Sequence, residues 1–352
     1  MKILIFDCGM KYELDTPYYK PLGGSETSML LLAKGLSELD QSVVLLTSSN
    51  TNREHVRNLI RDNINYFIPY AEQSDVIICS RIIPPEIMNF IGKKKIFYFS
   101  HDAYDQNHVK WMMNQNSINF IDKIFCVSNW QKNTFNKYLN VNESKMEVIG
   151  NPIDSSLYNG FTERDDKTFI FASIPYKGDN IGKLFNDICL ISHKQNLKLK
   201  VFSSFKLYDN EKQDQEYHQF FKELTNIKGI EINNLVSMRE LAFEFAKSTF
   251  SLFPNTYHET FSMSCLQSQA SGCIPISTNL GAMNERIENG YNGFITKGHN
   301  IQNQDTYQEF LDLTIKILSM SENELYKIRL NCQESIKQFD YLKISSKILQ
   351  FF

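Results

Sequence analysis

The sequence contains no CxxC pair, no charge-free apolar run long enough to span a bilayer, and almost no net charge. Each absence removes a class of protein. The seven cysteines (8, 79, 126, 189, 265, 273 and 332) are scattered, odd in number and mostly set inside apolar runs. That spacing offers neither a zinc knuckle nor a disulfide framework, and it points to a reducing, cytoplasmic compartment. Without a run of bilayer length no transmembrane helix is expected, and a peripheral membrane contact stays open but unindicated. The opening "MKILIFDCGM" has one lysine and a short apolar run before Asp7, which fits a first buried strand better than a signal peptide. With 37 basic against 40 acidic residues the formal charge is −3, which argues against a nucleic-acid partner. The densest basic cluster, Lys93–Lys95, reads as a solvated turn before a strand. Internal repeats and low-complexity tracts are also missing.

What remains is a chain of 352 residues, long for one core, so two domains are expected. Short β-rich runs alternate with helical stretches almost throughout. In the first half "KILIF" (2–6), "VVLLT" (43–47), "DVIIC" (75–79), "KIFYFS" (95–100) and "KIFCVS" (123–128) are nearly continuous in apolar residues, as parallel strands covered on both faces require. Helical spacing appears at 25–39 and 129–139. Gly, Pro and charge break the rhythm over 148–167, which reads as the interdomain connection. Strand-like runs then resume at 168–173, 197–204, 228–233, 248–254 and 273–278. Helices are expected at 180–192, 215–226, 238–247 and 258–272, with a helical tail over 305–352. The fold class is therefore α/β, with two Rossmann-like domains facing one another across a cleft. The expected bounds are 1–150 for the first domain and 165–338 for the second, with 339–352 crossing back to the first.

Ligands of such sheets bind at the carboxyl ends of strands, beside helix N-termini that offer unpaired N–H groups. Four junctions carry suspicious residues. In "PLGGSET", Gly23 and Gly24 let backbone approach a ligand closely, and Ser25 can cap the following helix. The spacing is not GxGxxG, so a dinucleotide fingerprint is absent. In "FASIPYKGDNIGKLF", Lys177 stands where a cation would meet a diphosphate. A P-loop is refused there: Gly178 to Gly182–Lys183 is one residue short, and no Ser or Thr follows. In "YHETFSMSCLQSQASG", Thr260 or Ser262 can cap a helix closed by Gly272. The N–H groups near Phe261–Ser264 would form an anion cradle, with Glu259 just before them placed to grip hydroxyls. In "FYFSHDAYDQ", His101 and Asp102 sit at the end of a buried strand. A capped core helix, a glycine turn or a structural histidine would explain any one of these alone. Four together, two in each half, favour a site.

These strings resemble the retaining glycosyltransferases of GT-B fold, family 4. The matching stretches are "GGSE" with "LAKGL", "SHD", "VSNW" before "VIGNPID", "PYKGDN" and "HETFSMSCLQSQASGCIPISTNLGAMNERIENGYNGF", in order over roughly 20–300. The resemblance implies a nucleotide-diphosphate sugar as donor, held mainly by the second domain, and a glycan, glycolipid or glycoprotein hydroxyl as acceptor. It implies a metal-independent hexosyl- or pentosyltransfer with retention and no cofactor. By the same resemblance Lys177 neutralises the diphosphate, Gly23 and Gly24 bring backbone to the phosphates, and Glu259 holds sugar hydroxyls. Backbone contacts fall to Thr260, Phe261, Ser262 and Met263. Val236 meets the base, and His101 bonds the sugar near the reacting carbon. There are two departures from the family. Ile174 and Pro175 stand where relatives carry an arginine, and Gln267 replaces the usual ribose-binding glutamate. A degenerate member serving as a binding partner is the rival reading; an epimerase or phosphorylase matches the strings poorly.

Overall fold

The computed structural model describes residues 1–158, 164–178, 180–194, 196–204 and 211–352. Part of the expected connection (159–163) and Asp179 of "PYKGDN" lie outside the described residues. The chain forms two compact units. One comprises Met1–Pro17, Leu22–Asp154 and Gln338–Phe352; the other comprises Tyr18–Pro21 and Ser155–Lys337.

The first unit is built on an eight-stranded sheet of β1 (Lys2–Asp7), β2 (Ser42–Thr47), β3 (Glu54–Val56), β4 (Leu59–Asn63), β5 (Val76–Ser80), β6 (Lys95–Phe99), β7 (Lys123–Cys126) and β8 (Met146–Val148), in the order β3-β4-β2-β1-β5-β6-β7-β8. All neighbours are parallel except the β3–β4 pair at one edge. The apolar runs explain the central strands: a charged residue opens β1 and β6, and every residue after it is buried. Helices cover the sheet because a parallel sheet has two apolar faces to bury. Helix Gly24–Glu38 buries nearly its whole length. The helix Asn129–Leu139 starts at Ser128, whose Oγ accepts from the Gln131 N–H, and ends at Asn140 in a left-handed conformation.

Lys93 and Lys94 do occupy a turn before β6, which Lys95 opens, and Lys94 does more there than meet solvent. Its Nζ donates to the Glu72 and Ser74 carbonyls that end helix Phe67–Gln73. The C-terminal helix Tyr341–Leu349 packs on helix Gly24–Glu38, and its approach depends on Gly35. A Cβ at that position would lie 2.3 Å from Ser345 Oγ and 2.8 Å from the Tyr341 carbonyl. Backbone pairing of Ile153 with Phe339 and Tyr341 anchors the same segment.

The second unit carries β9 (Asp165–Ala172), β10 (Lys198–Phe202), β11 (Ile230–Asn233), β12 (Ser248–Phe253), β13 (Ile274–Ser277) and β14 (Phe294–Ile295), ordered β11-β10-β9-β12-β13-β14 and parallel throughout. Its core gathers Phe169, Phe171, Phe185, Leu252, Ile276 and Phe310, among others. The helix expected over 215–226 is split: Glu211–Glu216 and His218–Thr225 meet at Tyr217, whose backbone is not helical. All seven cysteines are free thiols.

Among the parallel strands of each sheet the order turns back on itself at one place, between β1 and β5 and between β9 and β12. Loops leaving the carboxyl ends of such neighbours diverge and leave a crevice, the usual ligand position of an open α/β sheet.

Candidate functional site

The second unit brings two of the expected residues into contact. β9 and β12 lie side by side, so the loops that follow them meet although they are far apart in sequence. Lys177 lies in the single 3-10 turn Pro175–Gly178 after β9, and Glu259 lies in the loop after β12. Lys177 Nζ is 2.6 Å from Glu259 Oε1, with the two side chains only 18% and 10% exposed. Tyr257 sets its ring 5.6 Å below the Lys177 ammonium. Thr256 Oγ1 donates to the Tyr176 carbonyl at 3.1 Å, and the Tyr176 and Tyr257 rings meet edge to face. The two loops are thereby zipped together.

Glu259 is fixed from behind. Its backbone forms a parallel bridge with Gly281, and the Ala282 N–H donates to its carbonyl at 2.7 Å. Gly281 has φ +72°, and a Cβ there would lie 2.3 Å from the Glu259 carbonyl oxygen. Only glycine permits that approach. Sequence reasoning passed over Gly281, although it lies within the quoted string.

Helix Met263–Ala270 follows. Capping by Thr260 or Ser262 is corrected by the structure: Ser262 occupies the position before the helix, but no side-chain cap bond forms. Its backbone is left-handed instead, φ 65° and ψ 86°, a conformation that a side-chain-bearing residue adopts at a cost of about 1 kcal/mol or more. The first helical bond runs from the Leu266 N–H to the Ser262 carbonyl, so the Met263–Cys265 N–H groups precede the ladder. Gly272, at φ +65°, closes the helix as expected. The Phe261 ring is buried against the Arg286 guanidinium at 4.5 Å, and burial pushes Arg286 down to about 10.

Gln267 is half-buried one turn along from Met263, and its side chain makes no hydrogen bond among the described residues. Val236 packs against the small cluster that contains Phe202 and Phe245, just before Ser237, which opens helix Met238–Lys247 with a reciprocal Ser237–Glu240 cap. Thr260 and His258 are half-buried. Ile174 and Pro175 are buried.

In the first unit Gly23 and Gly24 lie beside the loops of the β1–β5 turning point, while His101 and Asp102 follow β6. Asp7 and Ser80 are register partners at the ends of β1 and β5. Asp7 Oδ2 accepts from the Tyr12 hydroxyl at 2.7 Å, while Asp7 Oδ1 and Ser80 Oγ are buried with no hydrogen-bond partner among the described residues. Burial first, then the neighbouring Glu26 carboxylate, pushes Asp7 up to about 7, against the pull of Tyr12 and Arg81. Gly23 precedes helix Gly24–Glu38 with an extended backbone. Ser25 does not cap it, which corrects the expectation: it lies inside the first turn, where Oγ donates to Glu26 Oε2 at 2.9 Å. Arg81, straight after β5, reaches Ser25 Oγ at 2.5 Å and Glu26 at 3.6 Å. Glu26 and Arg81 were not singled out by sequence; a charge directly after a buried strand was the available signal.

His101 follows β6 and stacks on Phe99 at 4.7 Å. Burial, then the Arg81 charge, lowers it to about 3, with a hydrogen bond to Asn151 opposing. The ring is therefore neutral at ordinary pH, a hydrogen-bonding group rather than a cation. Asn151 is itself held by Ser28 from helix Gly24–Glu38. Asp102 turns its carbonyl to Gln131 Nε2 at 2.8 Å and its carboxylate toward His108 at 3.9 Å.

Among the described residues there is no cluster of three potential metal-ligating side chains, and no helix is long and apolar enough to cross a membrane.

Two family patterns match the chain. Residues 22–157 fit the family described as Glycosyltransferase Family 4, and residues 179–324 fit Glycosyl transferases group 1. An uncharacterized glycosyltransferase of Methanocaldococcus jannaschii is 24% identical over 95% of each chain. Among solved structures, a glycosyltransferase from Rickettsia africae has TM-score 0.74 at 16% identity, covering 99% of this chain and 97% of its own. The Anabaena protein HepE, solved in complex with UDP-glucose, has TM-score 0.72 at 16% identity, covering 99% and 98%. These likenesses show the GT-B fold.

Proposed function

This chain belongs to the family 4, group 1 glycosyltransferases, and from that membership we propose that it moves a sugar, with retention, from a nucleotide-diphosphate sugar to an acceptor hydroxyl. The observation that carries the reading is the Lys177–Glu259 pair at the β9–β12 turning point. A cation for a diphosphate and an acceptor for sugar hydroxyls are held together there, next to helix N–H groups outside any ladder.

In this reading Lys177 and the N–H groups at the start of helix Met263–Ala270 stabilise the leaving diphosphate. Fixed charge and dipole aimed at developing negative charge stabilise a transition state without reorganising. Glu259 accepts from the sugar hydroxyls, and Thr260, Phe261 and Ser262 add backbone contacts. Val236 meets the base and Gln267 the ribose. Gly23 and Gly24 bring further backbone to the phosphates, and neutral His101 bonds the sugar. The acceptor oxygen bonds to the anomeric carbon on the face from which the phosphate leaves. The acceptor's proton passes to that leaving phosphate oxygen, so no separate carboxylate base is required. The diphosphate charge rests on protein groups rather than a resident metal, and the acceptor is a hydroxyl of a glycan, glycolipid or glycoprotein.

UDP-, GDP- and ADP-sugars screened by thermal melting and slow donor hydrolysis test the reading. One donor should stabilise the protein; saturation at a hundredfold over Kd corresponds to about 2.7 kcal/mol. Lys177→Ala should fold and lose transfer with that donor. A chain that is stabilised by none of them, or a fully active Lys177→Ala, refutes it.

A further inference from the structure

The Gly23–Gly24 turn stands on an acidic floor. A Cβ on Gly23 would lie 2.2 Å from Glu26 Oε2, and one on Gly9 would lie 2.3 Å from Glu26 Oε1. The Glu26 carboxylate thus presses against the backbone of the turn, and it is buried. An anion brought to this turn meets a like charge in a poorly screened setting, where repulsion is larger than at the surface.

Arg81 faces that carboxylate. Its guanidinium is 3.6 Å from Glu26 Oε1 and donates to Ser25 Oγ at 2.5 Å, while Ser25 Oγ donates to Glu26 Oε2 at 2.9 Å. The three side chains close a small cycle beneath the first helical turn. Arg81 holds this position from a left-handed backbone, φ +62°. Such a conformation persists in a residue with a side chain only where the surroundings over-determine it, and it clusters at ligand clamps. The same charge also acts on Asp7 and His101, so one guanidinium biases the whole β1–β5–β6 edge.

We propose that Arg81 is a positioning residue for donor binding: by neutralising Glu26 beneath the Gly23–Gly24 turn it lets that turn receive the donor's diphosphate. The assignment rests on the transferase reading above. Arg81 compensates a charge rather than reaching for the donor. Its loss is therefore repaired by removing the charge that it balances.

Binding is measured by calorimetry with whichever of UDP, GDP or ADP the wild type takes, and with the matching nucleoside, for Arg81→Met, Arg81→Lys and the double variant Glu26→Gln/Arg81→Met. Arg81→Met should weaken diphosphate binding tenfold or more and leave nucleoside binding unchanged. Arg81→Lys should fall between it and wild type, and the double variant should bind within a few-fold of wild type. Should Arg81→Met not fold, the neutral double variant carries the test, because replacing both partners of a buried pair is tolerated far better than removing one. A folded double variant no better than Arg81→Met, or unable to bind, makes Arg81 a mechanical strut and overturns the proposal. Unchanged binding in Arg81→Met overturns it with the transferase reading intact. A wild type that binds no nucleoside diphosphate overturns both.

Discussion

Replacing Glu259 by glutamine should tighten the binding of the bare nucleoside diphosphate while abolishing sugar transfer. In the free protein Lys177 already has an anionic partner 2.6 Å away. At an effective dielectric constant of 20 that contact is worth about 6 kcal/mol of gross attraction. Most of this is offset by desolvation, leaving a net charge-assisted hydrogen bond of about 1.5–3 kcal/mol. A diphosphate must compete with that bond for Lys177. Glutamine keeps the shape and removes the competitor, so the dissociation constant of the diphosphate should fall about tenfold, the lower end of that range at 1.4 kcal/mol per decade. The same change lowers the melting temperature of the free protein, because Lys177 then keeps its charge without a carboxylate beside it. Calorimetry on Glu259→Gln and Lys177→Ala/Glu259→Gln separates the effects, and the gain should vanish in the double variant. Weaker or unchanged diphosphate binding in a folded Glu259→Gln protein would show that Glu259 does not hold Lys177 in reserve.

Three further outcomes are expected. Gly281→Ala should destabilise more than Gly290→Ala: both have left-handed backbones, which an added Cβ strains by about 1–2 kcal/mol, but only Gly281 would drive it into Glu259; equal melting temperatures would contradict this. Asp7 titrates higher folded than unfolded, so its stabilising share is intact below the unfolded value of 3.8 and is lost as pH rises through about 7. Asp7→Asn should gain stability relative to wild type across that window in denaturant titrations, and a flat difference would contradict burial of the acid form. Gln267→Glu should leave nucleoside diphosphate binding equal or tighter, a carboxylate being the stronger acceptor for ribose hydroxyls; a large loss would assign the glutamine a role of its own.

The central strands were legible because parallel strands buried on both faces are apolar nearly end to end. β3 and β4 were not, because "EHV" and "LIRDN" read as polar. Arg61 of β4 is fully buried, and its charge is met by Glu54 at 2.7 Å and by Thr51 Oγ1 at 2.8 Å. A paired interior arginine leaves no hydrophobic trace. β8 and β14, at three and two residues, are too short for any pattern. Of the candidate site, Lys177 and Glu259 could be named from their strings, but not their bond. They are 82 positions apart, and their contact depends on β9 pairing with β12 rather than on either loop. The failed serine caps have separate local causes. Ser25 is recruited by Glu26 and Arg81, and Ser262 sits in a left-handed turn, whereas Ser128 and Ser237, just as buried, do cap their helices.

The return of residues 338–352 to the first unit sets an order of events during synthesis. The second unit is nearly contiguous and can collapse once its own strands have left the ribosome. The first has all eight strands of its sheet early, yet the groove over Gly35 stays unfilled until the last helix emerges. A nascent chain stalled near residue 337 would therefore carry a closed second unit and an open, sticky first one, a natural target for a chaperone. Gly35, near the far end of its helix from Gly24, then governs yield rather than rate. Gly35→Val should leave the surviving enzyme's turnover intact and cut the amount of enzyme that survives.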